Sequence, residues 1–221
     1  MGHVSTPSAA DPLSAGCPRC SHPVLERAGQ WFCPDHGQVP PLWRPATASY
    51  DAFAAHLVAA GDFPTYLPWP MSPGWHVTDF GVVGADPARA SATVTCVSGS
   101  SDLDGAVEMQ VVSEEPGTGL GPRCSGSDRS DPGPDVGDGP PAVRMRVDTR
   151  DVALWVVSHH ADGQDVDRSV LAGEAEGRWL WIVLRPASAV LLMPDSVVLR
   201  DVSGIGAPLV ELPFGGPPPT W

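Results

Sequence analysis

Three cysteines and one histidine, arranged as two pairs, constrain this chain more than anything else in it. Cys17 and Cys20 are separated by two residues, twelve residues follow, and Cys33 and His36 are again separated by two. Two short loops built on that spacing bring four donors to one tetrahedral ion, and three thiolates with an imidazole select zinc over harder cations. Gly37, just past the last donor, permits the turn that lets backbone amides point at the sulfurs. Four protein donors leave no coordination position for a water or a substrate, so the spacing predicts a structural zinc ion as the cofactor. A segment this small lacks a core of its own, and the ion then supplies most of its folding free energy, on the order of 10 kcal/mol. A metal-free redox pair at Cys17 and Cys20 would leave the matching Cys33 and His36 pair unexplained.

The knuckle occupies residues 16–40 and ends at Pro40-Pro41. Residues 1–15 are small and polar, read as disordered, and carry neither the cationic start nor the apolar centre of a signal peptide. No apolar run reaches the roughly 20 residues that span a bilayer. The chain therefore reads as cytoplasmic, and a reducing compartment would keep the two remaining cysteines, Cys96 and Cys124, as thiols. The rest is long enough for one domain with a proper core, over 41–213, with 214–221 as a loose tail.

Charge narrows the partners. Thirteen basic residues stand against 26 acidic ones, a formal charge of -13, which repels phosphate backbones and anionic lipid headgroups alike. A protein partner is expected, with nucleic acid and membrane disfavoured. Every basic residue is arginine, so Schiff-base chemistry, a phosphate-loop lysine and a lysine general base are all excluded.

Tyr50, Phe53, Ala54, Leu57 and Val58 recur at helical spacing, with Ser49 to cap the start and Gly61 to end it. Leu67 to Trp75 holds three prolines and reads as an ordered aromatic loop. From Trp75 onward, β-branched and aromatic runs near 75–84, 91–98, 106–113, 143–147, 151–158, 169–175, 178–185 and 196–202 predict about eight strands. Val152 to Val157 and Trp179 to Leu184 are apolar at nearly every position, as central strands are, whereas Val107, Met109 and Val111 alternate with Glu108 and Gln110, as an outer strand would. Ala187 to Met193 reads as a short helix begun by Pro186. Residues 117–141, rich in Gly, Pro, Asp and Ser, predict a mobile acidic loop. The fold class is α+β, mostly β: a small N-terminal zinc knuckle or ribbon, then one β-rich domain with one main helix and a short second one.

Weaker signals each meet a plainer reading. Glu114-Glu115, followed by a glycine-rich turn to Gly121, could hold an ion but more simply forms a loop. Cys124 beside Arg123 has the setting of a lowered thiol pKa, yet nucleophilic catalysis also needs a histidine placed in space. His159-His160 with Asp162, Asp165 and Asp167 matches no calcium loop, and Asp162-Gly163 is above all a hairpin signal. His76 sits at a strand start among apolar neighbours. Trp69, Trp75, Trp155, Trp179 and Trp181 can line a pocket or simply anchor the core. The common catalytic motifs are absent from the sequence.

The series Cys17-Pro18-Arg19-Cys20, Trp31 to Gly37, Leu67-Pro68-Trp69-Pro70 with Pro73-Gly74-Trp75, Glu114-Glu115 with Gly119-Leu120-Gly121, Asp131-Pro132-Gly133-Pro134, Gly173-Glu174-Ala175 with Trp179-Leu180-Trp181, and Leu191-Leu192 resembles an actinobacterial protein family of unknown function. The resemblance covers nearly the whole chain and implies the same domain and zinc site, with no catalytic residue to carry over. Some members bear the label phosphotransacetylase, which nothing in these residues supports. It also implies an aromatic where this chain has Cys124, which argues against a nucleophile there. The first functional expectation is thus a non-enzymatic, zinc-containing protein-interaction or regulatory module. The second is a small-molecule binder or enzyme, with a pocket near Leu67–Trp75 lined by Trp69, Trp75, His76, Glu114 and Glu115. Nucleic-acid binding through the knuckle is a third, marked by salt-sensitive affinity.

Overall fold

Alternating β-branched and aromatic residues can fill both sides of a pleated sheet only if something covers each face, and the fold is organised around meeting that demand. The computed structural model describes residues 13–85, 89–101, 104–127, 129–157, 167–193 and 197–221. Within them run β1 (Leu13–Gly16), three knuckle strands β2 (Leu25–Arg27), β3 (Gln30–Cys33) and β4 (Gly37–Gln38), then β5 (Leu42–Pro45) and helix α1 (Tyr50–Ala60). They continue through β6 (Tyr66–Pro68), β7 (His76–Val83), β8 (Ala92–Ser101), β9 (Gly105–Glu114) and the short helix α2 (Leu120–Ser125). The last strands are β10 (Val143–Val147), β11 (Arg150–Val156), β12 (Ser169–Ala175), β13 (Arg178–Arg185) and β14 (Val198–Asp201). The predicted mostly-β, α+β class holds, with one main helix. No helix of the described residues is long and apolar enough to cross a membrane.

Eleven strands form one sheet in the order β1-β5-β7-β8-β9-β13-β12-β11-β10-β14-β6, and β2-β3-β4 make a separate three-stranded sheet. The large sheet curls until its far edge returns over its middle: Thr93 and Thr95 of β8 donate to the carbonyls of Pro64 (2.6 Å) and Tyr66 (2.5 Å). Side chains then segregate by parity along β13. Leu180, Ile182 and Leu184 point to the inner core with Phe53, Phe80, Leu67 and Met109, while Trp181 and Val183 join Val94, Cys96, Val112, Leu120 and Cys124 on the outer face.

Helix α1 forms where the spacing placed it. Ser49 caps it by accepting from the Ala52 amide at 3.3 Å, and the Gly61 amide closes it on the Leu57 carbonyl at 3.0 Å. Its buried face is rotated from the expected one, however, to Ala52, Phe53, His56 and Ala60, while Tyr50 and Val58 are exposed. His56 drives the rotation: its ring stacks on Phe53 (5.6 Å), and its Nε2 lies 3.1 Å from Thr65 Oγ1. Burial holds that imidazole neutral, with its pKa lowered to about 3.

Several expectations need correction. β9 is not an outer strand but sits between β8 and β13, and Gln110 is fully buried because its amide donates to Glu108 at 2.8 Å. β11 is not covered on both faces; it lies nearer the far edge, and Val156 is exposed. Part of the proline-rich segment is regular after all: β6 pairs with β14 at the sheet edge, where Pro68 removes no needed donor. The stretch expected as a mobile loop over 117–141 begins as α2, buried at Leu120, Gly121, Pro122, Cys124 and Ser125. The predicted second helix is a 3-10 segment, Ala187–Leu192. The tail expected to be loose is attached: the Gly215 amide bonds Val77 O at 3.1 Å, and the Trp221 ring lies 4.0 Å from the Arg44 guanidinium.

Phe53 touches Phe80, His56 and Phe214 with only 1% of its surface exposed. Phe53→Ala is therefore expected to cost about 3–5 kcal/mol in urea unfolding, whereas Val58→Ala on the wet face of the same helix should be close to neutral. Equal effects of the two would show that the helix packs by a different face.

Candidate metal centre

The knuckle is built by tight local closures. Cys17 N–H donates to His22 O at 3.1 Å, closing the first loop around Pro18 to Ser21. β2 and β3 join through Ala28 and Gly29, both with positive φ (52° and 75°), as a two-residue hairpin turn requires. Cys33 pairs with Gly37 across the second loop, and Gly37 takes φ 65° there.

These closures bring four donors together. Cys17 Sγ and Cys33 Sγ each lie 3.6 Å from His36 Nδ1, and Cys20 Sγ lies 3.6 Å from Cys33 Sγ. All four donor atoms fall within 4.8 Å of one another. An ion bound tetrahedrally at ordinary zinc distances would set the sulfur–sulfur edges at about 3.8 Å and the sulfur–nitrogen edges at about 3.6 Å. The donor set and its spacing therefore fit a tetrahedral metal site. In the first loop, the Arg19 amide donates to Cys17 Sγ at 3.4 Å. His22 and Asp35 pair at 2.8 Å beside Cys20, in the same corner of the knuckle.

Cys17 and Cys33 are buried, Cys20 is partly covered and His36 is exposed. The knuckle's own apolar core is only Cys17, Val24, Cys33 and Val39, with Ala15, Cys20 and Trp31 against it. It is docked on the sheet by contacts in both directions. Arg19 donates to the carbonyls of Gly117 (2.7 Å) and Thr118 (3.2 Å), while Arg123 of α2 donates back to the Cys17 carbonyl. Trp31 packs edge-on to Trp43 with centroids 5.3 Å apart.

The residues expected to share a pocket with the aromatic loop do not all meet there. Trp69, Trp75 and His76 do line one cavity of about 400 Å³, with Met71, Glu211 and Leu212. Glu114 and Glu115 are elsewhere. Glu114 pairs with Ala92 and Trp179, and β8 carries the ladder on to Val83, whereas His76 faces Ser98 at the other end of β7. The carboxylate that takes their place is Glu211, brought by a 3-10 segment, Ala207–Glu211; nothing local in the sequence links it to Trp69. His159, His160, Asp162 and Asp165 lie outside the described residues, while Asp167 accepts from the Ala187 amide at 3.0 Å. Cys124 is fully buried, and burial pushes its thiol well up despite Arg123 beside it, so it lacks the setting of a nucleophile.

Glu114 has a different task. Fully buried, it accepts the amides of Leu120 (2.8 Å) and Gly121 (3.2 Å) and so pins the start of α2. Gly121 is required at this contact, because a Cβ there would sit 2.2 Å from the Trp181 indole nitrogen. Burial pushes the Glu114 carboxyl up to about 7, against the two amides that favour its ionised form.

The model of a family of unknown function, DUF6758, matches residues 12–221. The chain belongs to this family, whose extent takes in the knuckle and the sheet together. No curated protein and no solved structure matches the chain.

Because the Glu114 carboxyl is raised from 4.5 to about 7, its stabilising contribution is complete below pH 4.5 and is lost as pH rises through 7, by about 3 kcal/mol. Urea unfolding from pH 4.5 to 8 should show that decline in the wild type, and Glu114→Gln should flatten it. An unchanged slope in the variant would remove Glu114 from the account.

Proposed function

We propose that this chain is a non-enzymatic interaction module in which a structural zinc ion, held by Cys17, Cys20, Cys33 and His36, keeps the knuckle rigid for a protein partner. The observation that carries the reading is the closed donor set. Four side chains at tetrahedral spacing would saturate one ion and leave it no vacancy for chemistry. The outer strand of the knuckle is meanwhile exposed at all three positions, with Leu25 57% accessible. The net charge of -13 disfavours nucleic acid as the occupant of that surface. All five cysteines are unpaired, which suits the reducing cytoplasm, and the motif resemblance implies an actinobacterial origin.

A second reading, a small-molecule binder or an enzyme, is favoured by the cavity at Trp69, Trp75 and His76. Its aromatic walls and two titratable groups are the composition of a ligand pocket, although no acyl-phosphate machinery accompanies them.

Affinity purification separates the two. A partner recovered with the wild-type chain and lost with Cys17→Ser/Cys20→Ser supports the module. A lone monomer on size exclusion, with nothing lost on that substitution, contradicts it. A melting temperature unmoved across a metabolite panel would dispose of the second reading.

A further inference from the structure

We propose that the cavity between the knuckle and the sheet is a binding site for a small organic carboxylate. It encloses about 520 Å³, within the range of small-ligand pockets. The Cys20 to Pro23 loop forms one wall, the segment after β5 another, and Gly215, Gly216 and Pro218 of the tail a third, with Arg44, Asp79 and Arg123 facing in. The site rests on the metal reading to the extent that the donor set holds the Cys20 to Pro23 wall in place.

The charge at this cavity runs against the rest of the molecule. In a chain of net charge -13, two guanidiniums share the cavity with one buried carboxylate. His22, also on the wall, is already paired with Asp35. Asp79, 3% exposed at its side chain, accepts from Arg44 and from the Phe80 amide at 2.8 Å. Arg123 donates to Cys17 O; burial and the nearby Arg44 charge act against its own charge, while the Cys124, Cys17 and Cys20 sulfurs act for it. Leaving two such groups together is costly, and a fold that needed only filling would do better with apolar side chains. Apart from Cys20, taken up in the donor set, and His22, paired with Asp35, the charged side chains on the walls are two guanidiniums and one carboxylate, which leaves room for one more anion.

The donors are in excess as well. A guanidinium carries five N–H groups, yet the buried Nε of Arg44 and the buried Nε of Arg123 have no hydrogen-bond partner among the described residues. Both planes are held against the same indole, with Arg44 4.0 Å and Arg123 4.7 Å from the Trp221 ring centroid. Stacking of that kind pre-sets a planar fork for bidentate recognition of an oxyanion. A carboxylate brings the single negative charge that balances the site, whereas a phosphate dianion would overfill it beside Asp79. Leu42, Pro45 and Pro218 on the walls offer apolar surface to the body of the acid.

The test is calorimetric titration of the full chain with benzoate and with hexanoate, using inorganic phosphate as the comparison. The wild type should bind at least one carboxylate, and more tightly than phosphate. Arg44→Gln/Asp79→Asn, which keeps a neutral hydrogen-bonded pair, should weaken binding by about tenfold or more. Ala46→Trp, at the exposed rim of the cavity, should block it by filling space with the melting temperature retained, so the outcome does not depend on how the double variant folds. Carboxylate affinity weaker than about 10 mM in the wild type, phosphate binding the tighter, or carboxylate binding unmoved by Ala46→Trp would each overturn the proposal.

Discussion

Three sulfurs and one imidazole nitrogen are held within 4.8 Å of each other, and the N-terminal part of the molecule depends on what reconciles them. Thiolates at that distance repel, and neutral thiols gain little from one another; a cation among them would turn the crowding into a strong local interaction. The four-residue core around Cys17, Val24, Cys33 and Val39 is far too small to hold three short strands on its own. From that point the contacts spread outward. The Cys17 carbonyl is held by Arg123, Arg123 belongs to α2, and α2 starts on the buried Glu114 carboxyl of a central strand. The loop that carries the donor set and the middle of an eleven-stranded sheet are thus joined through Cys17, Arg123 and Glu114.

That continuity explains why the knuckle is not a bead on a string. β1 precedes it and β5 follows it, and these two strands pair with each other along four residues as the near edge of the large sheet. The knuckle is an excursion between two sheet strands, closed at its base by that ladder, with the donor set starting at Cys17, next to the ladder's last pair. The tail reinforces the same corner, since Trp221 stacks on an arginine from β5 and on one from α2. Charge that would be dispersed in an ordinary acidic protein is concentrated here.

What could be read in the sequence follows the range of the interactions involved. The Cys/His pairing, the Ser49 and Gly61 helix caps, and the strands at 143–147, 169–175 and 178–185 are encoded within a few residues, and they appear where the spacing put them. β9 reads as an outer strand because Glu108 and Gln110 look like a wet face, yet it lies between β8 and β13. The Gln110 amide finds its partner two residues away on the same strand, so a polar residue could be buried without a signature. α2 leaves no periodic signal because its start is set by the Glu114 carboxylate six residues before Leu120 and by the close approach of Gly121 to the Trp181 indole on β13. The joining of Arg44, Asp79, Arg123 and Trp221 depends on sheet order and tail path, neither of which leaves a periodic trace. The same holds for Glu211, which reaches the Trp69 and His76 cavity from the far end of the chain.

The most direct measurement is zinc-edge X-ray absorption on the reduced, purified protein, together with its metal content. The account predicts one zinc per chain in a four-coordinate shell of three sulfurs at about 2.3 Å and one nitrogen at about 2.0 Å. Absence of stoichiometric zinc, or a shell containing a water oxygen in place of one of the four side chains, would contradict it.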